Sequence, residues 1–536
     1  MSANVERRTA TFMRTDLGNA ERLVARHGGD LRFAPGIGWH EFDGRRWWRD
    51  VDGAVVRRMK LTVRAMYVEA ADLDDADERS ALTKWALASE TEARMRAAVS
   101  LAESDLAVIV QARQLDADPW LFNCANGTVD LRTGELREHR REDLLTRIAP
   151  TPYIANARHD LWDAHVGRVT GGDDDFARFL RRAVGYSLTG LTVEDVLFFP
   201  HGPTATGKTS TLEALKGALG EYVCTADFET FLKRRGDGGI RNDVARLDGA
   251  RLVISVEVEQ GKALAEGLIK ALTGGDTVAA RFLYREAFEF VPSFKLWLAA
   301  NARPRVDADD SAMWRRILQL PFVHQIPEAE RDERVKLRLR TDPDVHAAIL
   351  AWAVSGCIEW QKIGLAAPES VLAYTADYRA ENDALAGWLA DACDLADEAF
   401  TTNTDLRESY TAWCETNGED PVSPKRLAAV LRAKGLTAQR TETARGWRGI
   451  RIRMTHDGSD GRFGKPLART DISESSRNTR QEVSSVRTTP EPTLDEALHD
   501  PALVSRHIEP YATLIDDHRA GSSSSVPSCF EIAGPS

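Results

Sequence analysis

Apolar positions early in the chain switch between helical spacing and strand alternation. AERLVARHG has helical spacing and predicts a short helix, followed by the turn-rich aromatic segment GIGWHEFDGRRWWRDVDG. There Trp39, Phe42, Trp47 and Trp48 flank Asp43-Gly44, the pattern of a hairpin closed by an Asp-Gly turn. Rings of this size mostly fill interiors, so they read as hairpin core; Arg45, Arg46 and Arg49 beside them also suit base stacking, but no site is assigned. Residues 61–110 are helical in period, NCANGTVDLRTGELREH (123–139) predicts strand, turn, strand, and 160–189 returns to helix.

A different order follows. VEDVLFFPHGPTATGKTSTLEALKGALG sets a buried-type strand (Val196 to Phe199), a glycine loop and a helix in succession. Further apolar strands are predicted at Leu252 to Ser255, in FKLWLAANARP, and after Arg315 and Arg316 in ILQLPF. Residues 330–375 read as helical, and a Pro/Ala-rich stretch near Pro368 precedes a separate unit. Its later part predicts helix, turn, helix and a strand pair, with Ser423 as N-cap, Pro424 at the first helical position and Gly435 as the stop. Beyond Thr455, Ser, Thr, Pro, Gly and Asp dominate, and a largely disordered tail is expected.

A chain of 536 residues exceeds what one hydrophobic core supports and implies about three domains. No apolar run approaches the roughly 20 residues of a membrane helix, and the N-terminus lacks a secretory pattern. The expected location is cytoplasmic, with no membrane partner. Six cysteines, none in a C-x-x-C pair or at zinc spacing, imply neither disulfides nor structural zinc. A net charge of −12 argues against a protein that coats nucleic acid over its whole surface, which moves attention to local charge.

The chemistry centres on the glycine loop. Gly202, Pro203, Thr204, Ala205, Thr206, Gly207, Lys208 and Thr209 fit G-x-x-x-x-G-K-S/T, and Ser210 follows. Such a loop wraps phosphate oxygens with backbone N–H groups, Lys208 reaches the β and γ phosphates, and Thr209 ligates Mg²⁺. The next helix points its positive dipole end at the anion. About 50 residues on, Glu257 and Glu259 fall at the C-terminal end of an apolar strand, where an open α/β sheet places its ligand. One carboxylate would hold the metal's water shell (Glu257 is the metal candidate) and the other would polarise the attacking water; which is the general base stays open. Asn301 ends a third strand and suits positioning water or sensing the γ phosphate, though an Asx turn before Pro304 is the plain alternative. Arg315 and Arg316 are candidates for a finger that reaches a neighbouring subunit's nucleotide, against an ordinary surface ion pair.

These motifs, with IKALTGGDTVAARFLYREAFEF between them, resemble superfamily 3 helicases, specifically the phage and plasmid primase-helicase family related to poxvirus D5-type NTPases. The resemblance covers roughly residues 15–455, since PWLFNCANGTVDLRTGELREHRREDLLT and FLRRAVGYSLTG also look like that family's domain before the motor. It implies an α/β fold: a P-loop, AAA+-like superfamily 3 core with an N-terminal α+β domain and a C-terminal winged-helix domain. The expected division is an aromatic hairpin and helical region (1–110), a D5-type helicase N-terminal domain (111–190), the ATPase core (191–330), a helical extension (331–380), the winged helix (381–455) and the tail (456–536). It also implies a homo-hexameric ring that hydrolyses ATP with Mg²⁺ between subunits and pulls single-stranded or forked DNA through its channel, with 3′ to 5′ polarity. Lys270 sits in the family's extra motif ahead of Gly274-Gly275-Asp276, and ARFLYREAFEF looks like the hairpin that projects into the channel. Tyr284 and Arg285 are its candidate DNA contacts, as an Arg beside an aromatic suits backbone tracking with stacking. The family's longer members carry an N-terminal primase domain with catalytic carboxylates and often zinc ligands; here only a short segment precedes the D5-type region and it has no Cys/His cluster, so no primer synthesis is expected and a separately encoded primase is a candidate partner.

Between Pro421 and Thr455 nine Lys or Arg stand against one acid, Glu442, a local charge of +8. Lys425, Arg426, Arg445 and Arg448 are the candidate DNA contacts of the winged helix, against a solvated basic surface or subunit contact. The resulting expectation is an ATP-dependent helicase replicating a phage, plasmid or integrated element. The alternative is a DNA-stimulated P-loop ATPase in remodelling, packaging or phage defence; a nucleotide-binding scaffold is disfavoured because no motor motif is broken.

Overall fold

The computed structural model describes residues 12–233, 242–256, 262–281, 287–306, 310–382, 384–417, 421–441 and 444–453. Helix α1 (Asp16–His27) starts where the Thr15 side chain accepts from Gly18 N–H, and it buries Ala20 and Leu23. Strands β1 (Leu31–Ala34), β2 (Gly38–Phe42) and β3 (Trp47–Arg49) form an antiparallel sheet in which Phe42 faces Trp47. Asp43 Oδ1 closes the turn by accepting from the N–H groups of Arg45 and Arg46. Trp39 and Trp47 are buried, whereas Trp48 is 45% exposed with the Arg46 guanidinium 4.4 Å from its ring centre.

Helices α2 (Ala54–Ala71), α3 (Ala76–Ser89) and α4 (Glu92–Ala102) complete this first core through Met59, Val63, Met66, Leu82 and Ala98. A second antiparallel sheet follows, β4 (Leu121–Cys124), β5 (Gly127–Asp130) and β6 (Glu135–Arg137), then helices α5 (Asp160–Val169) and α6 (Asp174–Leu188).

The central sheet is parallel. It consists of β7 (Leu197–His201), β8 (Val223–Thr225), β9 (Leu252–Val256), β12 (Lys295–Ala299) and β13 (Ile317–Pro321), in the order β13-β7-β12-β9-β8. Strand β7 runs two residues past its predicted end. Pro200 has no N–H to offer there, but its carbonyl accepts from Ala300 N–H at 3.1 Å. The central strands are mostly apolar because both faces are covered, with Ser255, Lys295 and Gln319 as buried polar exceptions. Phe198, Ile254 and Trp297 enter one core with Phe179 of α6, while Leu197, Phe199, Val253, Leu296 and Leu298 enter the other. Helix α7 (Lys208–Leu219) follows β7, helix α8 (Glu266–Thr273) leads to the hairpin β10 (Val278–Arg281) and β11 (Ala287–Phe290), and the one-turn helix α9 (Ser311–Trp314) precedes β13.

Cations bolt the preceding domain to this core. Arg251 donates to the carbonyls of Pro119 and Asp118, Arg147 to those of Glu221 and Asp248, and fully buried Lys295 to those of Thr189 and Leu191. Burial holds the Lys295 amine well below the ordinary lysine range.

Three helices follow the sheet: α10 (Glu333–Thr341), α11 (Pro343–Ile363) and α12 (Glu369–Glu381). The C-terminal unit runs α13 (Ala384–Ala392), β14 (Cys393–Thr402), α14 (Asn403–Asn417), α15 (Pro424–Ala433), β15 (Thr437–Arg440) and β16 (Arg445–Ile452). Its antiparallel sheet has the order β14-β16-β15 over a core of Trp388, Tyr410, Leu431, Trp447 and Ile450. The predicted helices and strand pair are present, and α13 and β14 precede them. The expected tail, 456–536, lies outside the described residues. Among the described residues no helix is long and apolar enough to cross a membrane.

A candidate phosphate-binding site

The loop from Gly202 to Gly207 joins the C-terminal end of β7 to α7. Gly202 (φ 151°) lies so close to the β13 exit that a Cβ would sit 1.9 Å from Phe322 O. Gly207 (φ 89°) is the α7 N-cap, and a Cβ there would meet Val169 Cγ1 at 2.6 Å. Both positions need glycine. Ala205 also holds a left-handed backbone, φ 60°, and its carbonyl accepts from Ile326 N–H at 2.8 Å. The segment after β13 therefore straps the loop down. No side chain caps α7, which leaves its first-turn N–H groups for an anion.

Lys208 is 6% exposed, and its Nζ donates to Gly202 O and Pro203 O, each at 2.7 Å, and to Thr206 Oγ1 at 3.2 Å. Burial lowers its pKa to about 8. Behind the loop, His165 of α5 places Nε2 2.8 Å from Thr211 Oγ1. That hydroxyl spends its proton on Gly207 O, so the imidazole is the donor. Burial lowers the His165 pKa to about 4, which keeps it neutral.

A cavity of about 480 Å³ opens in front of the loop. Thr204 to Ser210 line it, with Val256 at the end of β9 and Asn301 just past β12. Asn301 and Thr209 are exposed. The sheet therefore brings Lys208, Thr209, Ser210 and Asn301 to one opening. Glu257 and Glu259 continue the chain from Val256 and lie outside the described residues. The other walls are Leu161, Ala164 and Arg168 of α5 and Val335, Lys336 and Leu339 of α10, none of them singled out in the sequence. They come from segments about 40 residues before and 130 after the loop, with no local motif to mark them. The volume falls within the range of small-ligand sites. A buried ammonium, uncapped helix N–H groups and a rim threonine hydroxyl form a donor set that fits a nucleoside triphosphate and its magnesium ion.

The two arginines part company. Arg316 is buried, donates to Thr273 Oγ1 at 3.2 Å and to Ala312 O at 2.9 Å, and lies 3.6 Å from Asp195. Arg315 is exposed. Both sit at the N-terminal edge of the sheet, since Arg316 O accepts from Leu197 N–H at the start of β7. Five residues of strand, about 16 Å, separate that edge from the loop. Lys270 pairs with Asp310 at 2.6 Å. The β10–β11 hairpin is formed, while Tyr284 and Arg285 lie outside the described residues.

In the C-terminal unit Lys425 and Arg445 are exposed, and Arg448 donates to Asp397 O and Glu398. Arg451 and Arg453 both pair with Asp394. Strand β14 thus lays acids beside the basic run, which tempers the +8 counted along the sequence. The Arg426 side chain lies outside the described residues.

A phosphate-type loop at the C-terminal edge of a parallel five-stranded sheet defines an α/β protein of the P-loop class. The D5 N terminal like family matches residues 20–171, a span that ends just past α5 and so includes one wall of the cavity. Two viral proteins, each named “putative helicase”, are similar. That of Acanthamoeba polyphaga mimivirus is 24% identical over 325 residues, 57% of this chain and 34% of its own length. That of Frog virus 3 (isolate Goorha) is 25% identical over 426 residues, covering 63% and 43%. The chain spans about a third to two-fifths of the length of these curated relatives. Among solved structures, the apo C-terminal region of NrS-1 aligns with a TM-score of 0.43 at 10% identity, covering 81% of this chain and 98% of that one. Residues 20–171 thus match a D5 N terminal like domain, and the similarity to the two viral proteins extends over a longer stretch of the chain.

Proposed function

We propose that this protein is an ATP-driven DNA helicase of superfamily 3 type, acting as a ring in the replication of a phage, plasmid or integrated element. The observation that carries the reading is the split between the two edges of the parallel sheet. Phosphate loop and Asn301 lie at one edge, and exposed Arg315 at the other, too far away to reach its own chain's phosphates. Such a division suits a site completed by a neighbouring copy, as a ring supplies.

In this reading the α7 N–H groups and Lys208 hold the β and γ phosphates, the ammonium leaving Gly202 O and Pro203 O to do so. Thr209 holds the magnesium ion, which when bound neutralises developing phosphate charge. Asn301 orients the attacking water, Glu257 or Glu259 polarises it, and Arg315 of the next copy stabilises the transition state. The β10–β11 hairpin and the C-terminal unit, whose helix-strand-helix-helix-strand-strand order suits a winged helix, supply DNA contacts through Tyr284, Arg285, Lys425, Arg426 and Arg445. A separately encoded primase remains the proposed partner.

ATP turnover with and without single-stranded DNA tests the reading. Stimulated turnover is expected, lost in Lys208→Ala; turnover indifferent to DNA would contradict a DNA motor.

A further inference from the structure

The root of the hairpin is joined to the one-turn helix α9 by charged side chains that take no part in phosphate binding. Helix α8 ends at Thr273 and passes through Gly274-Gly275-Asp276 into β10. In its last turn Lys270 Nζ lies 2.6 Å from Asp310 Oδ2, with the two side chains 34% and 17% exposed. The other oxygen, Oδ1, accepts from Met313 N–H at 3.0 Å and caps α9. One carboxylate therefore grips both the hairpin's helix and the helix that delivers Arg315.

A second contact lies beside the first. Arg316 donates from Nε to Thr273 Oγ1 at 3.2 Å, and a Cβ added at Gly274 would come 3.1 Å from Arg316 Nη2. Glu266, one turn before Lys270, is half-buried beside Asp310, and partial burial and then the neighbouring carboxylate raise its proton affinity. These are shielded, charge-assisted contacts and not a solvated surface pair.

We infer that Lys270–Asp310 and Arg316–Thr273 form a two-point latch that ties the position of the DNA hairpin to that of Arg315, so that DNA on the hairpin sets the hydrolysis rate at the neighbouring copy's nucleotide. Lys270 is then a positioning residue, with its charge spent on Asp310 and not on DNA. This rests on the DNA-motor reading above.

The test uses the full chain and the ratio of ATP turnover with and without a single-stranded oligonucleotide, with DNA affinity measured alongside. Lys270→Asp and Asp310→Lys are each expected to lower the ratio about ten-fold, and the double reversal to recover part of it, since it restores the ion pair but not the α9 cap. Asp310→Asn keeps the α9 cap but loses the charge, and should also lower the ratio, which decides the matter if the reversals fail to fold. A folded double variant that binds DNA yet stays uncoupled, or an Asp310→Asn with the wild-type ratio, overturns the latch alone. Tighter DNA binding by Asp310→Lys, with weaker binding by Lys270→Asp that the double does not restore, assigns Lys270 to DNA and overturns it too. A wild-type ratio of one would overturn the motor reading and the latch with it.

Discussion

Lys208 carries the sharpest consequence at the scale of one residue. Its folded pKa of about 8 lies below the ordinary 10.5, so between those values the unfolded chain keeps a proton that the folded chain has lost. By linkage this group makes the free fold more stable as pH rises through that window, whereas a triphosphate needs the ammonium. Nucleotide affinity should therefore fall once pH passes about 8, by at most about ten-fold per pH unit. Calorimetric titration between about pH 7 and 9 checks this, and a flat profile would contradict the role given to Lys208.

The one-turn helix α9 carries the next prediction, because it holds two adjacent arginines in different surroundings. Arg315→Ala should leave the melting temperature near wild type and cut ATP turnover by about 10³-fold. Arg316→Ala removes a buried cation from Thr273, Ala312 and Asp195, and should cost about 2 kcal/mol of stability. Equal loss of turnover by both, with unchanged melting, would contradict the division. That division was illegible in the sequence, where the two arginines are neighbours of one type; burial separates them. The strand, loop and helix around Gly202–Lys208 were legible because glycine requirements and a buried strand leave a local trace. The α5 and α10 walls of the cavity left none, since tertiary packing alone brings them to the loop. The basic run after Pro421 is legible in the sequence as a count, but the acids Asp394 and Glu398 that reach it from β14 are not, because they lie about 25 residues before it and only sheet pairing brings them there.

Across the whole molecule, the parallel sheet sets the phosphate loop and Arg315 at opposite edges, and the cations Arg147, Arg251 and Lys295 fasten the preceding domain to that sheet. That domain's α5 also walls the cavity, so motion of the domain against the core would be felt at the nucleotide. The proposed helicase function requires that ATP hydrolysis separate strands. The direct measurement is unwinding of a forked duplex by the intact chain with ATP and Mg²⁺, beside Lys208→Ala at matched DNA binding. Strand separation that disappears in the variant is the expected result. DNA-stimulated hydrolysis with no strand separation by the intact chain would contradict it, and would move the protein to a remodelling, packaging or defence ATPase.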